Sequence, residues 1–293
     1  MLFSPLIITL VAEGALSAAA AATASDVLRS LDGEPGLVEW IDPGDALDLH
    51  ATDIAAAGAR AALEAVLSDL DIIVQPADAP RRKALIIADM DSTMITCECI
   101  DELADYAGLK AKVAAVTEAA MRGELDFEAA LGARVALLKG MDAAVIDRCR
   151  AERVRLTPGA RTLVRTMAAH GAHSILISGG FTAFAQPVAA EIGFAEVRAN
   201  TLEIADGKLT GTVARPIVDA AAKRAALLAA AIDLPATLAV GDGANDIPML
   251  AAAGLGIAYH AKPRAAAAAD AAVRHGDLTV LLRAQGYRRG DWV

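Results

Sequence analysis

The stretch Ala84-Leu85-Ile86-Ile87-Ala88-Asp89-Met90-Asp91-Ser92-Thr93 decides the fold. A short apolar run bounded by polar residues reads as a buried strand. The two acids follow it directly, so they are delivered at the strand's carboxyl end, where open parallel sheets place their active sites. Carboxylates at i and i+2 in that position can serve one metal and one substrate.

Outward from this strand, further short apolar runs occur at 174–177, 238–240 and 255–258, separated by helical stretches. Strands alternating with helices predict a doubly wound α/β sheet. More than eighty residues with no good strand separate the first run from the second. They read as helices over 98–106, 110–121, 127–138 and 142–153. That is too much helix for one crossover, so we read an inserted helical cap over about 97–155, lying across the strand ends. Upstream, residues 1–76 read as a separate α+β unit. Strands are expected at 6–11, 37–41, 46–49 and 72–74. Helices are expected at 16–31 and 52–70, the second capped by Thr52 or Asp53. The order βαββαβ is the ferredoxin-like pattern. Residues 77–83, with Pro80 and three basic residues just after Pro76, read as a linker to an 84–293 domain.

Composition narrows the function. The 293 residues are 55% hydrophobic, with a mean hydropathy of +0.42, but alanine inflates both figures. No uninterrupted stretch reaches the ~20 apolar residues of a membrane span; the nearest, 6–24, is broken by Glu13 and Gly14. No Lys or Arg precedes it, as a signal peptide would require, so a cytoplasmic protein with no membrane partner is expected. A net charge of −10 argues against nucleic acid as a partner. Cys97, Cys99 and Cys149 have no zinc spacing and are expected as reduced thiols.

Three more segments complete the first. Ile177-Ser178-Gly179-Gly180-Phe181 puts a hydroxyl at a strand end beside glycines that let backbone N–H groups approach an anion. Lys223 stands early in a helix expected at 220–231. Gly241-Asp242-Gly243-Ala244-Asn245-Asp246 follows the strand at 238–240. Singly, each has an ordinary explanation: a solvated turn, a loop, a surface charge. A calcium loop would suit the last, but it lacks the closing Glu of an EF-hand. Their order, each at or beside a strand end, is what departs from chance.

With these four motifs, residues 84–293 resemble the haloacid-dehalogenase superfamily phosphatases, and within them the phosphoserine phosphatases. The resemblance implies a role for each matching residue. Asp89 matches the nucleophile that becomes an aspartyl phosphate, and Asp91 the general acid/base. Ser178, Gly179, Lys223 and Asn245 match phosphate-binding groups. Asp242 matches a Mg²⁺ ligand alongside Asp89 and the Asp91 backbone carbonyl, and Asp246 an acid that supports those ligands. In the cap, Glu98 matches the group that meets a substrate ammonium, and Arg134 the partner of its carboxylate, with Met121 and Phe127 closing over it. Phe127 and Arg134, seven apart, share a helix face. Together they imply an amino-acid phosphate, O-phosphoserine, as the small-molecule substrate.

The chemistry suits these residue types. Phosphate monoesters need rate factors of up to ~10²¹. A carboxylate nucleophile divides the reaction into two easier steps, while a cation and Lys223 offset the repulsion between two anions. Another small phosphate, or transfer to a second alcohol, would use the same residues; a non-catalytic amino-acid sensor would not need to keep Asp89, Asp91, Lys223 and Asp242. The N-terminal unit resembles an ACT-like domain by element order alone. Its Ala12-Glu13-Gly14-Ala15 loop keeps a glycine but lacks the Asp-Arg-Pro-Gly effector pattern, which leaves a structural role and homodimer formation open.

Overall fold

The computed structural model describes residues 4–121 and 124–293, without the side chains of 118–121. Met121 ends a helix, and its expected role in closing over substrate lies outside the described side chains, as do Arg122 and Gly123.

The N-terminal unit runs β1 (Leu6–Val11), α1 (Ala18–Arg29), β2 (Glu34–Asp42), β3 (Ala46–Thr52), α2 (Ala56–Val66) and β4 (Asp71–Pro76). β1 is apolar at nearly every position because it lies between β3 and β4, antiparallel to both. The unit has its own core, in which Ala24 and Leu28 of α1 and Ala59 and Leu63 of α2 pack on Ile8, Leu10 and Leu49. The expected cap of α2 is corrected: Thr52 closes β3, Asp53 turns the chain in a left-handed conformation (φ 58°), and the helix starts at Ala56.

The second unit begins with β5 (Leu85–Ala88). The insertion follows, with helices α3 (Cys99–Tyr106), α4 (Lys110–Met121), α5 (Phe127–Ala136) and α6 (Ala144–Arg153). The chain leaves and returns at one point, where Ile95 bridges Leu156 and Thr157 N–H donates to the Met94 carbonyl (3.0 Å). Then come α7 (Ala160–Ala169), β6 (His173–Phe181), α8 (Thr182–Ile192), β7 (Glu196–Asn200), the hairpin β8 (Leu202–Ala205) and β9 (Lys208–Val213), and α9 (Ala220–Ala229). The chain finishes with β10 (Thr237–Gly241), α10 (Ile247–Leu250), β11 (Leu255–Tyr259), α11 (Pro263–Ala268), β12 (Ala271–Val273) and α12 (Val280–Ala284).

The order β12-β11-β10-β5-β6-β7 is parallel throughout. β5 and β10 are central and buried on both faces, which is why each reads as an unbroken apolar run. β7, β12 and the β8–β9 hairpin did not stand out in the sequence. β7 alternates charge with small residues on a sheet edge, and β12 is three residues long.

The two units share one sheet. β4 pairs antiparallel with β12 through Ile72 and Ala272, so among the described residues ten strands run continuously. The joint is polar as well as apolar. The Asp71 carboxylate accepts from the backbone N–H groups of Arg274 (2.6 Å), His275 (3.2 Å) and Gly276 (2.7 Å). The segment expected as a linker is packed rather than free: Arg81 pairs with Asp48, and the buried Lys83 ammonium donates to the carbonyls of Pro80 and Pro235. Among the described residues no helix is long and apolar enough to cross a membrane.

Candidate active site

The ends of β5, β6 and β10 and the start of α9 meet at one place. Ala88 pairs with Leu176 on one side and Val240 on the other, so the residues that follow each strand converge. Asp89 lies just past β5 and is 5% exposed. Its Oδ1 accepts from Met90 N–H (2.8 Å) and pairs with Lys223 Nζ (2.7 Å). Lys223, one turn into α9, is fully buried and also reaches Asp246 Oδ1 (2.7 Å). It is therefore no surface charge. Burial opposes its protonation, but Asp246 and Asp89 outweigh burial and hold it above the ordinary lysine range.

Asp89, Asp242 and Asp246 bring carboxylate oxygens within 4.8 Å of one another. Burial, followed by repulsion from Asp246, pushes Asp89 well above the usual carboxylate range, against the pull of Lys223. The same two causes push Asp242 up to about 6. Three buried acids share one buried ammonium, so negative charge is in excess. Hard oxygen donors with uncompensated charge fit a divalent cation. Asp246 is held differently from the other two: its Oδ2 accepts from Gly243 N–H (3.0 Å) while Oδ1 holds Lys223, so both oxygens are engaged.

Asp91 sits in a tight turn. Its own backbone is extended, and Ser92 after it is left-handed (φ 54°), a conformation uncommon for a residue with a side chain. This turn swings the Asp91 carboxyl back over the strand ends. Oδ1 accepts from Cys99 N–H (3.2 Å). Oδ2 lies so close to Gly180 that a Cβ there would stand 2.7 Å from it and 3.0 Å from Ser178 Oγ. Burial, then the nearby Glu98 carboxylate, pushes Asp91 up to about 7. Ser178 is buried, and its Oγ accepts from Gly180 N–H (2.8 Å). Asn245 is half-buried in the loop after β10, beside Gly243.

The helices of the insertion form the roof. Glu98, just before α3, accepts from Ser92 Oγ (2.8 Å) and thus faces the site rather than capping its helix. Phe127 opens α5, and its ring lies against Gly179; a Cβ on that glycine would be 3.0 Å from Cζ. Arg134 is half-buried on the same helix. Among the described residues it has no acid partner, and its Nε donates to the Ala130 carbonyl (3.3 Å). Cys97, Cys99 and Cys149 are free thiols, and burial raises Cys149 to about 11.

Two residues at the site were not singled out in the sequence. Ser92 was read only as part of the acidic motif. Asn200 ends the unrecognised strand β7 and is 1% exposed. Its only sequence signal is a polar side chain at the end of a weakly alternating run.

The family model for haloacid dehalogenase-like hydrolases matches residues 86–251. The fold also superimposes on a HAD-family hydrolase from Salmonella enterica serovar Typhi with a TM-score of 0.80. That match has 30% identity and covers 94% of this chain and 97% of that one. The chain belongs to the haloacid dehalogenase-like hydrolases. Within that class it is similar to a phosphoserine phosphatase of Streptomyces coelicolor, at 49% identity over 235 residues. The match takes in 78% of this chain but 57% of that relative, so the chain spans little more than half its length. It is also similar to the unliganded structure of a probable phosphoserine phosphatase from Vibrio cholerae: 35% identity, 98% of this chain, 88% of that one, TM-score 0.77.

Proposed function

We infer that the chain is a Mg²⁺-dependent phosphatase that hydrolyses O-phospho-L-serine to L-serine and phosphate. The observation that carries this reading is the arrangement around Asp89. Its carboxylate is buried, fixed at Oδ1 by Met90 N–H and Lys223, and has Asp91 and the Ser178 loop as neighbours. That is a nucleophile held in place, with a proton carrier and an anion cradle beside it. The printed names of the relatives support the same substrate.

Asp89 attacks phosphorus, forming a bond from its carboxylate oxygen as the bond to the serine oxygen breaks. Asp91, pushed up to about 7, holds the proton that the leaving oxygen takes. The resulting aspartyl phosphate is cleaved when Asp91 accepts a proton from an attacking water. Lys223, Ser178 Oγ and the Gly179–Gly180 backbone hold the phosphoryl oxygens, with Asn245 at the rim. Asp89, Asp242 and the Asp91 carbonyl would hold Mg²⁺, which supplies positive charge against the transferring oxygens. Asp246 orients Lys223 through Oδ1 and the loop at Gly243 through Oδ2 and so supports the other two acids. Glu98 meets the substrate ammonium and Arg134 its carboxylate, while Phe127 covers the phosphate loop and excludes water. The three unpaired thiols support a reducing, cytoplasmic setting.

The test is phosphate release with Mg²⁺ across O-phosphoserine, O-phosphothreonine, sugar phosphates and nucleotides. O-phosphoserine should be preferred by at least about tenfold in kcat/KM over the sugar phosphates, the worth of one good polar contact. Equal rates on sugar phosphates would remove the substrate assignment and leave the chemistry standing.

A further inference from the structure

We propose that Asn200 is a positioning residue that locks the anion-binding loop after β6 to the start of the helix carrying Lys223. The register of β6 against β7 shows why it is needed. Ser178 pairs with Ala199, but the next pair is Phe181 with Asn200, so Gly179 and Gly180 are looped out of the ladder. Their backbone is thereby freed to face a ligand, and it also loses its strand partner. The Asn200 side chain replaces that partner: Nδ2 donates to the Gly179 carbonyl (2.8 Å).

The same amide turns its other end to a second segment. Oδ1 accepts from Val218 N–H (2.8 Å), and Nδ2 lies 3.4 Å from the Val218 carbonyl. Asn200 thus presents Val218 with a donor and an acceptor side by side, as a strand backbone would. The two bonds also fix the amide's orientation, since only oxygen can accept from Val218 and only nitrogen can donate to Gly179. Val218 directly precedes Asp219, whose carboxylate caps α9 by accepting from Ala222 N–H (2.8 Å). Lys223 N–H donates to the Asp219 carbonyl (3.0 Å), one turn from the cap. One buried amide therefore sets the distance between the Ser178-Gly179-Gly180 backbone and the Lys223 ammonium. Both are assigned to the same phosphoryl group, and misplacement of about 1 Å at such a site costs on the order of 100-fold in rate. Asn200 itself touches neither the acids nor the proposed substrate.

This inference rests on the phosphatase reading, and the test separates the two. The full chain is compared with Asn200→Asp and Asn200→Ser, in Mg²⁺, for kcat and KM on O-phosphoserine and for inorganic phosphate binding by calorimetry. Asn200→Asp keeps the acceptor for Val218 but sets a carboxylate oxygen against the Gly179 carbonyl. It should lower kcat/KM about 30- to 100-fold and weaken phosphate binding about tenfold or more. Asn200→Ser, whose shorter hydroxyl brings no repelling charge, should fall between it and the wild type. A folded Asn200→Asp protein with unchanged KM and phosphate affinity, showing only a lower melting temperature or active fraction, overturns the proposal. So does failure of both variants to fold, which would make Asn200 purely structural. A wild-type chain that binds phosphate but does not cleave O-phosphoserine removes the substrate reading, and the Asn200 comparison is then read on phosphate binding alone.

Discussion

The floor and the roof of the site are built in opposite ways. On the floor, Asp89, Lys223, Asp242 and Asp246 are all less than 10% exposed, and each of Asp89, Lys223 and Asp246 has a partner at 2.7–3.0 Å. In the roof, Glu98, Phe127 and Arg134 are half-buried, and among the described residues Arg134 bonds only a carbonyl of its own helix. Burying charge without compensation is costly, so Asp89, Lys223 and Asp246 hold one another, and the excess negative charge fits a cation. Glu98 and Arg134 stay half-buried, with polar atoms in reach of a ligand. On the proposed reading, the floor would carry the reaction and the roof would select the substrate.

The largest expected effect follows from removing the proposed nucleophile. Asp89→Asn should lower kcat on every phosphate ester by about 10⁴-fold or more, as loss of a catalytic nucleophile does elsewhere. Lys223 keeps Asp246 as a partner, and one repelling carboxylate is lost, so the metal-free melting temperature should hold or rise. Activity within tenfold of wild type would show that floor and roof do not divide the labour in this way. Gly180→Ala comes next. Its methyl would meet Asp91 Oδ2 at 2.7 Å and Ser178 Oγ at 3.0 Å, shifting both without altering a charge. A loss of about 100-fold in kcat on any ester is expected; an unaffected rate would mean that the loop yields freely.

The roof should respond selectively. Arg134→Ala should cost about 100-fold in kcat/KM on O-phosphoserine, the worth of a charge-assisted pair with a carboxylate. An aryl phosphate, which has no carboxylate, should change less than about threefold. Equal losses on both would make Arg134 a packing residue and blur the contrast.

How much of this was legible in the sequence follows the same division. The floor motifs were readable because central parallel strands are continuous apolar runs and each ends in its functional loop, as at Ala84-Leu85-Ile86-Ile87-Ala88-Asp89. The helices of the insertion were placed within a residue or two because the segment holds no good strand, and the 110–121 helix matched at both ends. Sequence could not show that Lys223 is fully buried, because a lysine in Ala220-Ala221-Ala222-Lys223 looks like a solvated helix charge until Asp89 and Asp246 fold against it. Nor could it show β7, whose edge position allows charge alternation, and with β7 it concealed Asn200. The join between the units was hidden too, because the β4–β12 pair and the contacts around it, such as Asp71 accepting three backbone donors and Gln75 Nε2 donating to the Ala284 carbonyl, bring together residues far apart in the chain.

The smallest expected effect tests whether Asp91 belongs with the floor or the roof, since it hangs from the turn between them. Its carboxyl is pushed up to about 7, from an ordinary 3.8, by burial and by Glu98. Between those values the folded chain holds a proton that the unfolded chain has released. Stability from this group is therefore full below about pH 4 and is lost as pH rises towards about 7. Asp242, raised to about 6, adds to the same trend in the metal-free protein. The metal-free melting temperature should thus fall by a few degrees between about pH 4.5 and pH 7 on account of these groups. Asp91→Asn should flatten part of that slope, and Glu98→Gln should flatten less of it, because burial outranks the Glu98 charge among the causes. If Glu98→Gln instead removes the whole slope, Asp91 is governed by its roof neighbour, and the proton that the floor chemistry needs is set by the part of the site that selects the substrate.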